Sequence, residues 1–394
     1  MAAGTLKKRG KRTRLPVIDL FAGVGGLSLG ACRAGFDLAL AVDNDRQAMA
    51  AHKLNFPGSK HSKANIARMT GKSLLHLAGL KPGELVGLIG GPPCQGFSNM
   101  GHREATDPRN QLFRKFFQLV QEAKPWFFMA ENVPGILDAE FDYIRAAALR
   151  IPEGYTVLEP VKVTASDFGA PTTRTRVVFF GYRPDKLAKI VEKDLMPSGR
   201  VTKVQVGEAL KGLPAKIDGR WDTDDKAWRK AGKRTKGAFW QRVFGKVPPG
   251  VGHVHSLKQL EAGLVSGCIA TRHEPEVRGR FSRTKPGKAD PVSRAIRLDP
   301  KGYCPTLRAG TNSDRGSYQA VRPIHPSRPR VITPREAARL QGFPDWFRFD
   351  PTKWHSFRQI GNSVSPLLAE RVLAAIKAKV RMRRTISVAT TAAA

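Results

Sequence analysis

The chain opens as a series of short apolar runs, each ending abruptly in glycine, proline or a carboxylate. Leu15 to Leu20 predicts a first buried strand, running into Phe21-Ala22-Gly23-Val24-Gly25-Gly26 and then a small-residue helix over 27–34. Leu38 to Val42 predicts a second strand that ends in Asp43. The run Leu85 to Ile89 stops at Gly90-Gly91-Pro92-Pro93, where proline removes an N–H and constrains the residue before it, so a loop must follow. Leu112, Phe113, Phe116, Phe117, Leu119 and Val120 recur at helical spacing and predict a packed helix over 110–124. Pro125 to Ala130 is another buried run, ending in Glu131-Asn132-Val133-Pro134-Gly135, and Tyr155 to Val163 and Val177 to Tyr182 supply two more strands. Core strands linked by helices predict an α/β fold.

Such sheets place their chemistry where strands end, and three strand exits carry it here. The glycine turn after the first strand departs from GxGxxG, because Ser28 takes the last glycine position and Gly25 and Gly26 are adjacent. With Asp43 about twenty residues on, the turn predicts an adenosine-containing cofactor, and leaves a nicotinamide dinucleotide and S-adenosylmethionine equally open. A structural turn would also use glycine. At the second exit stands Cys94, followed by Gln95 and Ser98. A lone cysteine is most often a buried structural one, but that reading leaves the prolines, Gln95 and Ser98 without a purpose, so a nucleophilic thiolate is predicted. The loop 96–109 is long and polar enough to close over a substrate. At the third exit Glu131 leaves an apolar run, where a carboxylate is costly unless paired or functional. Arg174 and Arg176, two apart, share a face of an extended chain and suit anionic or carbonyl groups.

Charge changes the picture more than composition does. In 394 residues, 67 Lys and Arg stand against 33 Asp and Glu, a net charge of +34. An excess of this size predicts a polyanionic partner, nucleic acid before a membrane surface. Cys32, Cys94, Cys268 and Cys304 are scattered without a CxxC pair, which suggests neither zinc nor disulfides and fits a reducing cytosol. No apolar signal segment follows Met1, so export is not expected. Residues 1–14 form a short basic arm. Between Pro184 and Pro334 core-strand runs stop and Arg, Lys, Gly and Pro dominate, as in 229–234. Val204 to Leu210 suggests a short entry element. Trp221, Trp228, Phe239, Trp240, Val243 and Phe244 predict a modest core there rather than a disordered linker. A last helix over 365–380 is expected to return to the first domain, and the tail 385–394 is uninformative.

Phe-x-Gly-x-Gly-Gly, Pro-Pro-Cys-Gln, Glu-Asn-Val and Arg-x-Arg, in this order, resemble the signatures of the DNA (cytosine-5)-methyltransferases, as do 333–344 and 359–364. The resemblance spans about 15–380. It implies a Rossmann-like S-adenosylmethionine-dependent methyltransferase domain (15–190), a smaller irregular target-recognition domain (191–332), and a segment 333–380 returning to the first, with tails 1–14 and 381–394. It implies that Cys94 attacks C6 of a flipped-out cytosine, that Glu131 protonates N3 with Asn132 orienting it, and that Arg176 holds O2. Arg174 would order the pocket and phosphate contacts, and the loop bearing Gln95 and Ser98 would close around the base. S-Adenosyl-L-methionine, leaving as S-adenosyl-L-homocysteine, would be held by Phe21, Gly23, Gly25, Gly26, Asp43, Asn65, Leu112, Asn362 and Ser363. Asp43 stands where the family usually has Glu, Asn65 where it has Asp, and Thr172 where it has Gln. Residues 302–312 resemble the family's recognition loop, with Arg308 and Arg315 as candidate guanine readers and Thr306 as backbone support. The implied partner is double-stranded DNA, bound with steep salt dependence by a monomer in the bacterial cytoplasm, with a cognate restriction endonuclease acting separately. Alternatives are a tRNA-modifying enzyme of the same family, whose Cys-Phe-Thr signature is absent here, a catalytically silent DNA-binding protein, and an NAD oxidoreductase. The last two leave Cys94 or the charge unexplained.

Overall fold

The computed structural model describes residues 14–93, 110–138, 142, 146, 154–197, 199, 201–221, 228–232, 236–245, 247–309 and 321–381. Its centre is one sheet. Strands β1 (Pro16–Leu20), β2 (Asp37–Asp43), β3 (Lys60–Lys63), β4 (Gly87–Gly90) and β5 (Phe127–Asn132) run parallel, and β8 (Thr175–Tyr182) lies antiparallel to β5. The order is β3-β2-β1-β4-β5-β8-β6, where β6 (Thr156–Val157) and β7 (Val161–Thr164) both pair with β8. The single strand expected over 155–163 is therefore two, divided at Pro160, which cannot donate to a ladder. At the other boundary β8 starts early enough to include Arg176.

Both faces of the sheet are covered, and the side-chain alternation shows how. Val17, Phe127 and Met129 point into one hydrophobic cluster, while Ile18, Leu20, Phe128 and Ala130 point into another. The first is covered by α1 (Gly26–Ala34) and the helix Pro366–Ala378, which approach so closely that a Cβ on Gly30 would sit 2.3 Å from Cβ of Ala369. The second is covered by α3 (Gly71–Ala78) and α4 (Asn110–Ala123), whose phenylalanines Phe113, Phe116 and Phe117 are fully buried or nearly so. The helix α2 (Arg46–Asn55) joins β2 to β3. From β1 the chain steps to β2 on one side and later returns to β4 on the other, so the loops leaving β1 and β4 part and open a crevice at their carboxyl ends. That crevice is where the three chemistry-bearing exits meet.

Among the described residues between 191 and 332 regular structure is sparse: the one-turn helices Glu192–Leu195 and Val206–Ala209, the latter within the short element expected over 204–210, the helices Ala238–Phe244, Val254–Glu261 and Pro275–Arg283, and a two-strand pairing of Arg229–Lys230 with Leu264–Val265. Phe239, Trp240 and Val243 are buried as expected, but they extend the first large cluster rather than forming a core of their own. The ion pair of Arg242 with Glu370, at 3.5 Å, and a hydrogen bond from Arg33 to the Arg242 carbonyl tie that helix to α1 and Pro366–Ala378. Trp221 and Phe244 lie half-buried against the same cluster, and Trp228 meets His255 edge-on with the Arg348 guanidinium over its ring. Phe281, Ala295 and Ile324 make a separate small cluster. Among the described residues no helix is long and apolar enough to cross a membrane.

Candidate active site at the strand ends

The glycine turn is the tightest part of the crevice. Phe21, Gly23 and Gly25 all take left-handed backbone, with φ of 56°, 55° and 102°. For phenylalanine this conformation costs about 1–3 kcal/mol and persists only where surroundings enforce it. Here they do: the Gly23 N–H donates to Asp43 Oδ2 at 2.8 Å, and the Ala22 N–H to the Val42 carbonyl. A Cβ on Gly26 would lie 2.3 Å from the Val364 carbonyl, so only glycine lets the turn meet the segment after the helix Lys353–Asn362. A Cβ on Gly23, by contrast, would meet nothing within 4 Å. The turn is closed beneath and open above. Helix α1 begins at that opening with no side-chain cap, and its first N–H groups suit an anion.

Asp43 holds its own turn with one oxygen and accepts from the Asp45 N–H at 2.8 Å with the other, while burial pushes its carboxyl above the usual range. A carboxylate has about four acceptor sites, so Asp43 retains capacity for a ribose hydroxyl. Ser363 is buried beside Gly26, its hydroxyl donating to the Gln359 carbonyl, and neighbouring Asn362 is exposed. Leu112 lies half-buried at the start of α4. Asn65 caps the short turn Ile66–Arg68, and its amide oxygen accepts from the Ala67 N–H at 3.1 Å.

At the neighbouring strand ends the acid and a cation come together. Register pairs Leu20 with Gly90 and Gly90 with Ala130, so the exits of β1, β4 and β5 are adjacent. Glu131 and Arg176 sit on paired strands, with Glu131 Oε1 2.6 Å from Arg176 Nε. The other carboxylate oxygen would lie 3.2 Å from a Cβ on Gly91, directly against the loop that leads to Cys94. Asn132 donates from Nδ2 to the Pro92 carbonyl at 3.5 Å, and its Oδ1 accepts from the Val133 N–H. Cys94, Gln95, Ser98 and Arg315 lie outside the described residues. The other cysteines are all buried, and burial pushes the thiols of Cys32 and Cys268 up to about 12 and that of Cys304 higher still, so none of the three supplies a thiolate. Arg174, although two residues from Arg176, has a different partner: it is buried and donates to the Leu307 carbonyl at 3.2 Å. Thr172 is fully buried and bridges to Cys304, so the segment leading into the strand that presents Arg176 also anchors the start of the 302–309 loop. Arg308 and Thr306 are exposed on it.

A largely parallel sheet with a left-handed glycine turn at its switch point and an acid–arginine pair two strands away is a Rossmann-like arrangement whose crevice suits a nucleotide-derived cofactor. The family model described as C-5 cytosine-specific DNA methylase matches residues 15–378. The Type II methyltransferase M.XorII of Xanthomonas oryzae pv. oryzae is 42% identical over 367 residues, covering 91% of this chain and 84% of that protein. Type II methyltransferase M.DdeI of Desulfomicrobium norvegicum is 32% identical over 379 residues, covering 90% and 86%. A solved structure from E. coli, provisionally described as a prophage-encoded DNA modification methyltransferase, is 48% identical with a TM-score of 0.83, covering 93% of this chain and 99% of that one. The S. pombe Dnmt2 methyltransferase, at 17% identity and a TM-score of 0.58 over 91% and 97% of the two chains, shares the fold. The chain belongs to the C-5 cytosine-specific DNA methylase family. Its reaction is therefore methylation of cytosine C5, with DNA favoured over RNA as substrate.

One group of residues went unread in the sequence. Asp19, Ser28, His52 and His61 form a hydrogen-bonded chain beneath the glycine turn. The available signal was a polar His52 and Asn55 on the buried stripe of α2, beside Ala48, Met49 and Ala51.

Proposed function

We propose that this chain methylates C5 of a cytosine extruded from duplex DNA, using S-adenosylmethionine and a transient bond between Cys94 and C6. The supporting observation is the convergence of the Glu131–Arg176 pair with Gly91 and Pro92, the residues that lead into Cys94. Cytosine C5 is a poor nucleophile until a thiolate adds at C6. Cys94 forms that bond, and the electron pair displaced from the C5–C6 double bond moves toward N3, where Glu131 supplies a proton. Arg176 donates to O2, and Asn132, bonded to the Pro92 carbonyl, fixes the strand end that carries the acid. C5, now enamine-like, takes the methyl group and N3 returns its proton to Glu131; loss of the C5 proton to water with cleavage of the sulfur–C6 bond then restores the ring and the thiolate. A stacked base exposes neither face to such attack, so the nucleotide must leave the helix, with Gln95 and Ser98 on the loop that receives it.

The residues present fit the cofactor. The turn is open at Gly23, α1 offers uncapped N–H groups to a carboxylate, and Asp43 offers lone pairs to a ribose. Phe21, Gly25, Gly26, Asn65, Leu112, Asn362 and Ser363 would line the rest. When bound, S-adenosylmethionine supplies an electrophilic methyl group and departs as S-adenosylhomocysteine. Residues 191–332 would read base edges, the Type II designation of the relatives points to a separate cognate endonuclease, and a DNA-associated cytoplasmic monomer suffices for the chemistry. Bisulfite sequencing of DNA from cells expressing the chain or Cys94→Ser tests the reading. Modified cytosines in one short motif, lost in the variant, are expected. Unmodified DNA beside methylated RNA would overturn it.

A further inference from the structure

The chain Asp19–Ser28–His52–His61 links four elements under the turn. The Ser28 hydroxyl donates to Asp19 Oδ2 at 2.5 Å and lies 3.1 Å from His52 Nε2, while His52 Nδ1 lies 2.9 Å from His61 Nε2. Asp19, Ser28 and His52 are fully buried, and His61 on β3 is half-buried. With Asp19 ionised, one order of protons satisfies every link. Ser28 has a single proton and gives it to the Asp19 carboxylate, so its oxygen must accept from the His52 Nε2–H. His52 Nδ1 is then an acceptor, from the His61 Nε2–H. This order needs neutral imidazoles; burial holds the His52 ring well below its usual pKa and lowers His61 to about 4.

The same histidine supports the turn by contact. A Cβ on Gly25 would lie 2.4 Å from the Phe56 ring and 3.0 Å from His52 Cδ2, and the two rings lie tilted by 32° with centroids 4.3 Å apart. Gly25 thus rests on His52 and Phe56, while Ser28, in the first turn of α1, is tied to both Asp19 and His52. This floor adds to the Asp43 carboxylate at Gly23 and the Val364 carbonyl at Gly26 in holding the turn.

We propose that Ser28 and His52 are positioning residues for the cofactor: with Asp19 and His61 they fix the left-handed turn and the first N–H groups of α1 in the conformation that receives the adenosyl ligand. The inference rests on the cofactor reading above. None of the four touches the reacting atoms; they act through the turn. The test is binding of S-adenosylhomocysteine to the full chain by calorimetry, well below the melting temperature, alongside binding of a DNA duplex without cofactor. Ser28→Ala should weaken S-adenosylhomocysteine about tenfold, since it strands a buried imidazole donor and a carboxylate, with duplex affinity within about twofold of wild type. His52→Gln, whose amide can still donate to Ser28, should recover most of the affinity that His52→Phe loses. In turnover the effect should fall on KM for the cofactor rather than on kcat. Wild-type affinity in both Ser28→Ala and His52→Phe, whatever their melting temperatures, would overturn the proposal. So would equal losses for ligand and duplex. A wild-type chain that binds no S-adenosylhomocysteine would instead overturn the cofactor reading, and this proposal with it.

Discussion

In the crevice, polar groups are held by strands: Glu131 and Arg176 face each other because β5 and β8 are hydrogen-bonded in register, and Asp43 reaches the Gly23 N–H because β2 lies beside β1. Among the described residues from 191 onward few strands exist, and arginines take their place. Arg297 donates to the carbonyls of Phe281, Ser282, Thr284 and Pro326. Arg339, 1% exposed, pairs with Asp345 through two bonds and donates to the carbonyls of Ala209 and Lys211. Arg335 does the same for Ser266, Pro344 and Phe347. A guanidinium has five donors in a rigid fork, so one side chain can satisfy carbonyls that a sheet would otherwise pair. Part of the large positive charge is therefore internal scaffolding rather than a surface for phosphate. The contrast separates two kinds of failure, loss of chemistry in the crevice and loss of shape outside it.

The largest separation is expected from Glu131→Gln. It should lower kcat by about 10²–10⁴, the usual range for a general acid, with S-adenosylhomocysteine affinity unchanged. A kcat within about threefold of wild type would remove Glu131 from the chemistry. On the other side, Arg339→Ala leaves Asp345 buried and unpaired, and should destabilise the fold by about 3–5 kcal/mol in denaturant titrations. Residual folded protein should still turn over at the wild-type rate; a stable but inactive variant would blur the distinction. A smaller effect should follow Arg322→Ala. Arg322 lies over the Phe357 ring and donates to the Arg308 carbonyl at 2.6 Å. Its loss should weaken duplex binding by about five- to tenfold in anisotropy titrations and leave S-adenosylhomocysteine untouched, as removal of one support under the proposed recognition loop would. Equal weakening of both ligands would contradict that division.

The smallest effect is one of pH. Burial raises the Asp19 carboxyl from 3.8 to about 7 in the folded chain. A raised pKa means that its contribution to stability is complete below about pH 4 and is lost as pH rises through about 7. Asp19→Asn removes that dependence, so wild type should lose stability relative to the variant between pH 5 and pH 8. A constant difference across that interval would show that Asp19 does not titrate in it.

How far the sequence could be read follows the same contrast. Apolar runs ending in Asp43, Gly90 and Glu131 marked strand exits because burial on both faces leaves no alternation to confuse, and those exits do meet in one crevice. The division at Pro160 was visible as a residue but outweighed by the apolar residues on either side. Arg297, Arg335 and Arg339 could not be told from phosphate-binding arginines, since a guanidinium bonded to distant carbonyls has no periodicity along the chain. Arg174 was likewise read with Arg176, because the two-residue spacing says which face they share and nothing about the Leu307 carbonyl that approaches from another segment. His52 was hidden for the opposite reason: it occupies a core position in a helix, where its value depends on Ser28 and His61 in other elements.

The account turns on addition of Cys94 to the pyrimidine, and mass spectrometry of the intact chain can observe it. A duplex carrying 5-fluorocytosine at the methylated position, incubated with S-adenosylmethionine, allows addition and methyl transfer but offers no C5 proton to remove, so the adduct should accumulate. The account predicts a covalent protein–DNA species whose peptide linkage maps to Cys94 and which Cys94→Ser does not form. Full turnover of ordinary cytosine by the wild-type chain with no such species, or a linkage to any other residue, would contradict it.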